Sequence, residues 1–156
     1  MSWRARIEPA VRPVIQSWWR LSRGTTLGVR AIVTDNAARV ALVRHTYVDG
    51  WYLPGGGVER GEPAEEAMRR ELAEEAGVDA TGNLQLVGIY NNHRSFPGDH
   101  VVLYTVGQWK PCATDHAGEI AEVSWFALDA LPAETTPATR RRLQEFSSGA
   151  RPSHDW

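Results

Sequence analysis

The chain has 156 residues, a length that suits one ordinary domain with a continuous core and leaves no room for a second catalytic domain. Hydrophobic residues make up 42% and charged residues 23%, which is typical of a folded globular protein and excludes an intrinsically disordered one. The net charge of −2 excludes a global positive field, so we expect no polymeric nucleic acid as a partner.

Residues 1–24 are predicted to be an N-terminal extension, with a short helix over residues 11–23. The extension lacks an apolar segment followed by a small-residue cleavage site, and no apolar run in the chain approaches the roughly 20 residues that cross a bilayer. We therefore expect a cytoplasmic location and no membrane partner. The helix would present Trp18 and Trp19 to the domain or a dimer mate, or alternatively to a membrane surface or another partner.

Residues 25–147 are predicted to form the domain, which begins with strands. Segments 25–35 and 38–47 are rich in β-branched residues and flank the turn signal Asp35-Asn36, so we expect them to form a hairpin. Further strand-like segments lie at residues 83–90, 100–109 and 121–128.

The clearest helix is predicted over residues 63–76. Pro63 suits the first helical position, and Gly77 stands where a left-handed cap belongs. A last helix is predicted from Pro137 through Phe146, and residues 148–156 are expected to be a flexible tail. Strands on both sides of a central helix indicate an α/β fold, with a mixed β-sheet and helices on its faces.

Three carboxylates, those of Glu71, Glu74 and Glu75, fall on one face of the predicted central helix. A solvated acidic surface is one interpretation, although like charges at this spacing repel each other. The same stripe contains the apolar residues Ala64, Ala67 and Met68, which indicates that it faces inward. Inward-facing oxygen ligands suit a hard divalent cation, for which Mg²⁺ is the common choice and Mn²⁺ the alternative.

A glycine-rich loop, residues 53–61, leads directly into this helix. Glycines without Cβ atoms let a backbone turn sharply and approach a ligand. Most such loops are only turns, but beside three inward carboxylates this loop is predicted to cradle a metal-bound diphosphate.

Residues 56–78 match the pattern G-x5-E-x7-R-E-U-x-E-E-x-G-U, with U aliphatic, at every defined position. This is the 23-residue Nudix box, so the chain resembles the Nudix hydrolase family. The surrounding strands and the segment SWFALDALP at residues 124–132 also resemble the family. The resemblance implies the Nudix fold, a mixed β-sheet sandwiched between α-helices. It also implies a metal-dependent pyrophosphohydrolase acting on a small molecule, a nucleoside diphosphate linked to another group.

The resemblance also implies roles for individual residues. Glu71, Glu74 and Glu75 match the glutamates that hold the divalent metals, and Glu71 also matches a position that acts as, or orients, the base. Arg70 matches the arginine that forms an ion pair with that glutamate, and Gly55 matches a residue whose carbonyl reaches a metal.

Family members often supply another acidic ligand beyond the box. Here Glu119 is the first candidate and Glu122 the reserve, although each is also interpretable as a surface carboxylate.

Substrate contacts are predicted for polar and aromatic residues outside the box: Arg44, Tyr52, Asn92 and Arg94. Alternatively, Tyr52 is a core residue and the loop at residues 91–100 is a polar connection. Residues 93–95 stand where two subfamilies carry a proline or tyrosine marker, and no subfamily is supported.

Alternative functions are the sanitising of nucleoside triphosphates, removal of RNA 5′ pyrophosphate, and nucleotide binding without catalysis. Binding modules typically lose a glutamate of the box, and none is missing here. Homodimers are common in the family, so a homodimer is a further expectation.

Overall fold

The computed structural model describes residues 24–114 and 118–156, so the helix predicted over residues 11–23 lies outside the described residues. The elements in chain order are β1 (Thr26–Val33), β2 (Val40–His45), α1 (Ala64–Ala76), β3 (Val78–Ala80), β4 (Gln85–Asn91), β5 (Asp99–Val106), β6 (Trp109–Pro111), β7 (Ile120–Phe126) and α2 (Pro137–Ser148). Within these described residues, no helix is long and apolar enough to cross a membrane.

The central sheet is mixed and has the strand order β1-β5-β4. β1 runs parallel to β5, with Thr26 opposite Asp99, and β4 runs antiparallel to β5. Two shorter antiparallel pairs, β2 with β7 and β3 with β6, complete the strands. The short strands β3 and β6 were not predicted from the sequence.

The predicted hairpin between β1 and β2 is wrong. The chain does turn at residues 35–39, and Thr34 forms a single bridge with Val40, but β2 then pairs with β7. The physical reason is that both edges of β1 have other partners. One edge bonds β5, and the other bonds the glycine-rich loop, whose Gly56 carbonyl accepts from the Val29 N–H at 2.9 Å. The loop is thereby fixed against the sheet.

Alternate residues of the central sheet face two different cores. On one face, Val29 and Val102 pack with Met68 and Leu72 of α1. On the other face, Ile32 packs in a cluster with Leu143 of α2 and Tyr90 of β4. The same cluster contains Val40, Leu42, Trp51, Leu53 and Leu103. The expected mixed sheet between two helices is therefore confirmed.

The ends of α1 follow from its sequence. Gly77 adopts φ 64°, a left-handed conformation that favours glycine, and its N–H bonds the Leu72 carbonyl. Pro63 stands one residue before the helix with an extended ψ of 139°, so the helix begins one residue later than predicted. The box therefore spans the loop, the helix and the first residue of β3.

The tail expected to be flexible was residues 148–156. Ser148 is the last residue of α2, and residues 149–156 are bonded to the body of the domain. Asn91 at the end of β4 exchanges backbone hydrogen bonds with this segment, accepting from Trp156 at 2.9 Å and donating to His154 at 2.8 Å. Arg142 of α2 donates to the Asp155 carbonyl at 2.7 Å. Composition gives no sign of these bonds, because their partners lie far away in sequence.

Candidate active site

Two glycines allow the loop to lie between β1 and the carboxylates of α1. Gly55 adopts φ 137°, and its N–H donates to Glu75 Oε2 at 2.8 Å. A Cβ atom at this position would overlap the backbone of Val29. At Gly56, a Cβ atom would lie 2.5 Å from Glu71 Oε1. Position 55 therefore requires a residue without a side chain, whereas a side chain at position 56 would displace the Glu71 carboxylate.

Arg70 lies among the carboxylates of the loop and helix. Its Nε and Nη2 atoms donate to the two oxygens of Glu62 at 3.0 and 3.1 Å. Its Nη1 atom donates to Glu71 Oε1 at 2.8 Å and to Glu74 Oε2 at 3.2 Å. These bonds, above all those with Glu62, raise the pKa of Arg70 above its ordinary value. A single cation thus partly compensates for the like charges that the sequence places together.

Two of the three box carboxylates are largely buried. The side chains of Glu71 and Glu75 are each only 12% exposed, whereas that of Glu74 is 44% exposed. Burial raises the pKa of Glu75 to about 7, against the opposing effects of the Gly55 N–H and the charge of Arg30. Burial also raises the pKa of Glu71, against its hydrogen bond with Arg70. Both carboxylates therefore lack the full stabilisation that their ionised forms require.

The donor set fits a hard divalent cation, although it is not preassembled. Within residues 24–114 and 118–156, no three acidic, histidine or cysteine side chains are arranged to hold a metal ion. Each box carboxylate, however, uses one oxygen in the bonds above and keeps the other free of hydrogen bonds to the described residues. The free atoms are Glu71 Oε2, Glu74 Oε1 and Glu75 Oε1. Carboxylate oxygens are the ligands that a hard divalent cation prefers, and a bound cation would relieve their mutual repulsion.

Glu119 belongs to the same electrostatic neighbourhood. Its negative charge contributes to the raised pKa of Glu75, and its carbonyl accepts from the Thr46 N–H at 2.9 Å. The reserve candidate, Glu122, instead forms an ion pair with Arg44 at 2.8 Å on β2. The structure therefore brings Glu119, rather than Glu122, towards the box carboxylates.

His45, at the end of β2, is a buried neighbour of Glu75. Its Nδ1 atom lies 4.0 Å from Glu75 Oε1 and has no hydrogen-bond partner among the described residues. Burial, followed by the charge of Arg30, lowers the pKa of His45. The imidazole is thus neutral at pH 7 and adds a polar wall beside the carboxylates.

Arg30 is a functional candidate that was missed from the sequence. Its Nη1 atom donates to the Leu53 carbonyl at 3.1 Å and also to the Gly55 carbonyl, which the family resemblance assigns to a metal. Its charge opposes the rise in the pKa values of Glu71 and Glu75 that burial causes, so it lies close to both. The available signal was an arginine in the middle of an apolar strand, where a cation requires acceptors.

A cleft of about 490 Å³ adjoins the carboxylate face through Arg30 and Leu53. Its walls include Tyr52, Asn92 and the first turn of α2, and also the unpredicted residues Arg141 and Trp156. The hydroxyl of Thr136 caps this turn by accepting from the Thr139 N–H at 3.3 Å. Polar, cationic and aromatic groups thus converge on one space beside the box.

Two of the predicted substrate contacts do not line this cleft. Arg44 is paired with Glu122 and lies over the ring of Trp51, with its Cζ atom 5.6 Å from the ring centre. Arg94 has a side chain that is 89% exposed and lies 3.6 Å from Asp155. The structure therefore brings together Tyr52 and Asn92, but not the two arginines.

Comparison with known proteins gives concordant matches. The family model described as NUDIX domain matches residues 24–146. A protein of Bacillus subtilis (strain 168), provisionally named an 8-oxo-dGTP diphosphatase, is 32% identical over 127 residues, which are 80% of this chain and 82% of that protein. An RNA pyrophosphohydrolase of Legionella pneumophila (strain Corby) is 40% identical over 65 residues, which are 42% of this chain and 37% of that protein.

Solved structures agree with these matches. A MutT Nudix hydrolase from Burkholderia pseudomallei has a TM-score of 0.66 and 26% identity to this chain, covering 77% of this chain and 96% of its own. A Nudix hydrolase from Nitrosomonas europaea has a TM-score of 0.65 and 25% identity, covering 81% of this chain and 91% of its own.

Proposed function

Because the chain belongs to the Nudix family and is a Nudix pyrophosphohydrolase, we propose that it performs Mg²⁺-dependent hydrolysis of a nucleoside diphosphate linked to another group. The observation that carries this proposal is that Arg30 lies where the cleft meets the carboxylate face. This residue lines the cleft and also contacts the Gly55 carbonyl, immediately beside the box carboxylates. A nucleoside in the cleft would therefore place its phosphates on the carboxylate face.

Each part of the site has a role in this proposal. Glu71, Glu74 and Glu75 would hold the metal through their free oxygens, with Gly55 and Glu119 as further ligands. A bound Mg²⁺ supplies neutralisation of the diphosphate and a more acidic water. Arg70 keeps Glu71 and Glu74 oriented through its bonds of 2.8 and 3.2 Å.

The phosphates also meet positive groups of the chain. Arg30 lies between the cleft and the carboxylates, and the N-terminal turn of α2, the positive end of its helix dipole, forms part of the cleft wall. The oxygen of water adds to one phosphorus, the bridging P–O bond breaks, and the water proton passes to a carboxylate. Glu71 is the first candidate for this base and Glu119 the second. Two phosphorylated products result.

The substrate's second group is either phosphate or a larger moiety. The name of the Bacillus relative favours phosphate, since 8-oxo-dGTP is a nucleoside triphosphate. The Legionella relative also keeps an RNA 5′ end among the candidate substrates. Product analysis separates the classes. A triphosphate releases a nucleoside monophosphate and pyrophosphate, whereas a nucleotide sugar releases the monophosphate and a sugar phosphate.

The test is a panel of nucleoside triphosphates, nucleotide sugars and a 5′-triphosphorylated RNA oligonucleotide, with Mg²⁺ and chromatographic separation of products. Glu75→Gln is expected to reduce kcat at least about 100-fold because it removes a charged ligand. Glu66→Gln is the matched control, since Glu66 is an exposed carboxylate on the same helix. Near-normal turnover by Glu75→Gln at saturating Mg²⁺ would refute the site. A folded wild-type protein that is silent on the panel would favour the binding-module alternative.

The cytoplasmic location and the homodimer stay predictions. Cell fractionation and light scattering of the purified chain would test them.

A further inference from the structure

We propose that Trp156 is a specificity-determining residue whose indole forms one wall of the cleft and contacts the nucleobase. This inference rests on the proposed function, because it assigns the cleft to the nucleoside part of the substrate. Trp156 lines the cleft together with Tyr52 and Arg30. The two aromatic side chains therefore border the same space, and Arg30 marks its phosphate end.

The structure holds Trp156 in place through its backbone. Its N–H donates to the Asn91 carbonyl at 2.9 Å, and its main-chain oxygen accepts from Arg141 Nη2 at 2.6 Å. Asp155 also forms a parallel bridge with Asn91, which extends the free edge of β4 by a short segment. The indole is thus supported at a defined position, although the segment contains no regular helix or strand.

The ring itself also has a fixed partner. Trp156 packs edge-to-face on Tyr90, with ring centres 5.5 Å apart and an interplanar angle of 73°. Tyr90 is 1% exposed and belongs to the core beside α2. Trp156 is partly exposed and lines the cleft, where the proposal places its indole against the nucleobase. Aromatic side chains offer every nucleobase a stacking surface.

A buried arginine positions this segment. Arg142 is 1% exposed, and its guanidinium lies over the Tyr90 ring at 4.3 Å and near the Trp156 ring at 5.6 Å. It donates to the Asp155 carbonyl at 2.7 Å, to Ser153 Oγ at 2.8 Å and to Glu145 at 2.9 Å. A buried cation is costly unless it is paired and hydrogen-bonded. The segment supplies two of these acceptors, so Arg142 acts as a positioning residue for Trp156.

The experiment measures binding rather than turnover, so that it does not depend on hydrolysis. The probes are the α,β-methylene analogue of GDP, which cannot be hydrolysed, and the corresponding analogue of ribose 5-diphosphate, which lacks the base. Dissociation constants are measured by calorimetry with Mg²⁺. The variants are Trp156→Ala, Trp156→Phe and the control Phe146→Ala, whose side chain is 40% exposed on α2 and does not line the cleft.

Trp156→Ala is expected to raise the Kd of the GDP analogue about 10-fold, in keeping with the loss of one base–aromatic contact. The Kd of the probe without a base should stay unchanged. Trp156→Phe should lie between wild type and Trp156→Ala, and Phe146→Ala should match wild type. An unchanged Kd for the GDP analogue in Trp156→Ala would overturn the proposal. An equal loss on both probes would also overturn it, because it would indicate a merely structural role.

The role of Arg142 is tested in the same assay. Arg142→Met should give the same base-dependent loss, and adding it to Trp156→Ala should cause no further loss. Losses that add up in the double variant would overturn the positioning role. Failure of the proposed function would give a different result, because the wild-type protein would then hydrolyse no substrate of the panel. The Kd values would still decide the role of Trp156.

Discussion

The buried carboxyl group of Glu75 makes a pH-dependent contribution to stability that one substitution removes. In metal-free protein, burial raises its pKa from the ordinary 4.5 to about 7. Glu75→Gln keeps the shape of the side chain and an oxygen that can accept from the Gly55 N–H, now bonded at 2.8 Å. The substitution removes only the charge. We therefore expect it to stabilise the metal-free protein wherever Glu75 is ionised.

The direction and size of the effect follow from this pKa. Between pH 4.5 and about 7 the folded protein retains a proton that the unfolded chain releases, so the free energy of unfolding falls as pH rises. At about 1.4 kcal/mol for each unit of pKa, the difference between 4.5 and about 7 amounts to about 3 kcal/mol. The loss is complete above pH 7 and absent below pH 4.5. The Glu71 carboxyl, whose pKa is also raised, adds to the slope in both proteins.

The assay is urea denaturation in the presence of a chelator, from about pH 4 to about pH 8.5. Glu75→Gln should exceed wild type by about 3 kcal/mol at the alkaline end and equal it at the acidic end. Glu66→Gln, at an exposed position of the same helix, should show no such pH-dependent difference. A Glu75→Gln variant that is less stable than wild type at about pH 8, or a difference independent of pH, would refute the reasoning.

Three further substitutions test the loop and the helix. Gly55→Ala should destabilise the fold by about 3 kcal/mol, because Gly55 has a φ of 137° and a Cβ atom there would overlap the Val29 backbone. The measurement is urea denaturation, and an unchanged urea midpoint would contradict this expectation. Gly56→Ala should lower kcat about 100-fold with little change in Tm, since its Cβ atom would lie 2.5 Å from Glu71 Oε1 and displace that carboxylate. A wild-type kcat would show that catalysis does not depend on this position of the Glu71 carboxylate. Arg70→Lys should lower kcat about 10-fold, because lysine cannot form the paired hydrogen bonds that Arg70 makes with Glu62. Full activity would show that only the positive charge at this position matters.

The carboxylate face was predictable because helical spacing is a local property. The stripe predicted to face inward does so, with Ala67 and Met68 at 0% exposure and the Glu71 and Glu75 side chains at 12% each. Glu74 departs from the expectation, since its side chain is 44% exposed near the edge of the stripe. The helical repeat predicts which way a side chain points, but not how deeply neighbouring residues bury it.

The features that were missed depend on partners far away in sequence. Arg30 contacts the carbonyl of Gly55, 25 residues later, and nothing near Arg30 indicates this. Trp156 bonds Asn91 and packs on Tyr90, so its place depends on where β4 ends. The hairpin prediction failed for the same reason. A turn signal shows that the chain reverses direction, but it does not show which strands then pair.

The parallel pairing of β1 with β5 also has a consequence for the order of folding. Thr26 and Asp99 are 73 positions apart, so joining these strands closes a long loop at an entropic cost before the contacts of the sheet repay it. The glycine-rich loop bonds the other edge of β1 and needs this strand as its template. A chain in which only α1 had formed would carry all three box glutamates, but the backbone of the glycine-rich loop would not yet lie beside them. Catalytic competence should therefore return later than helical signal during refolding, together with the slow formation of the sheet.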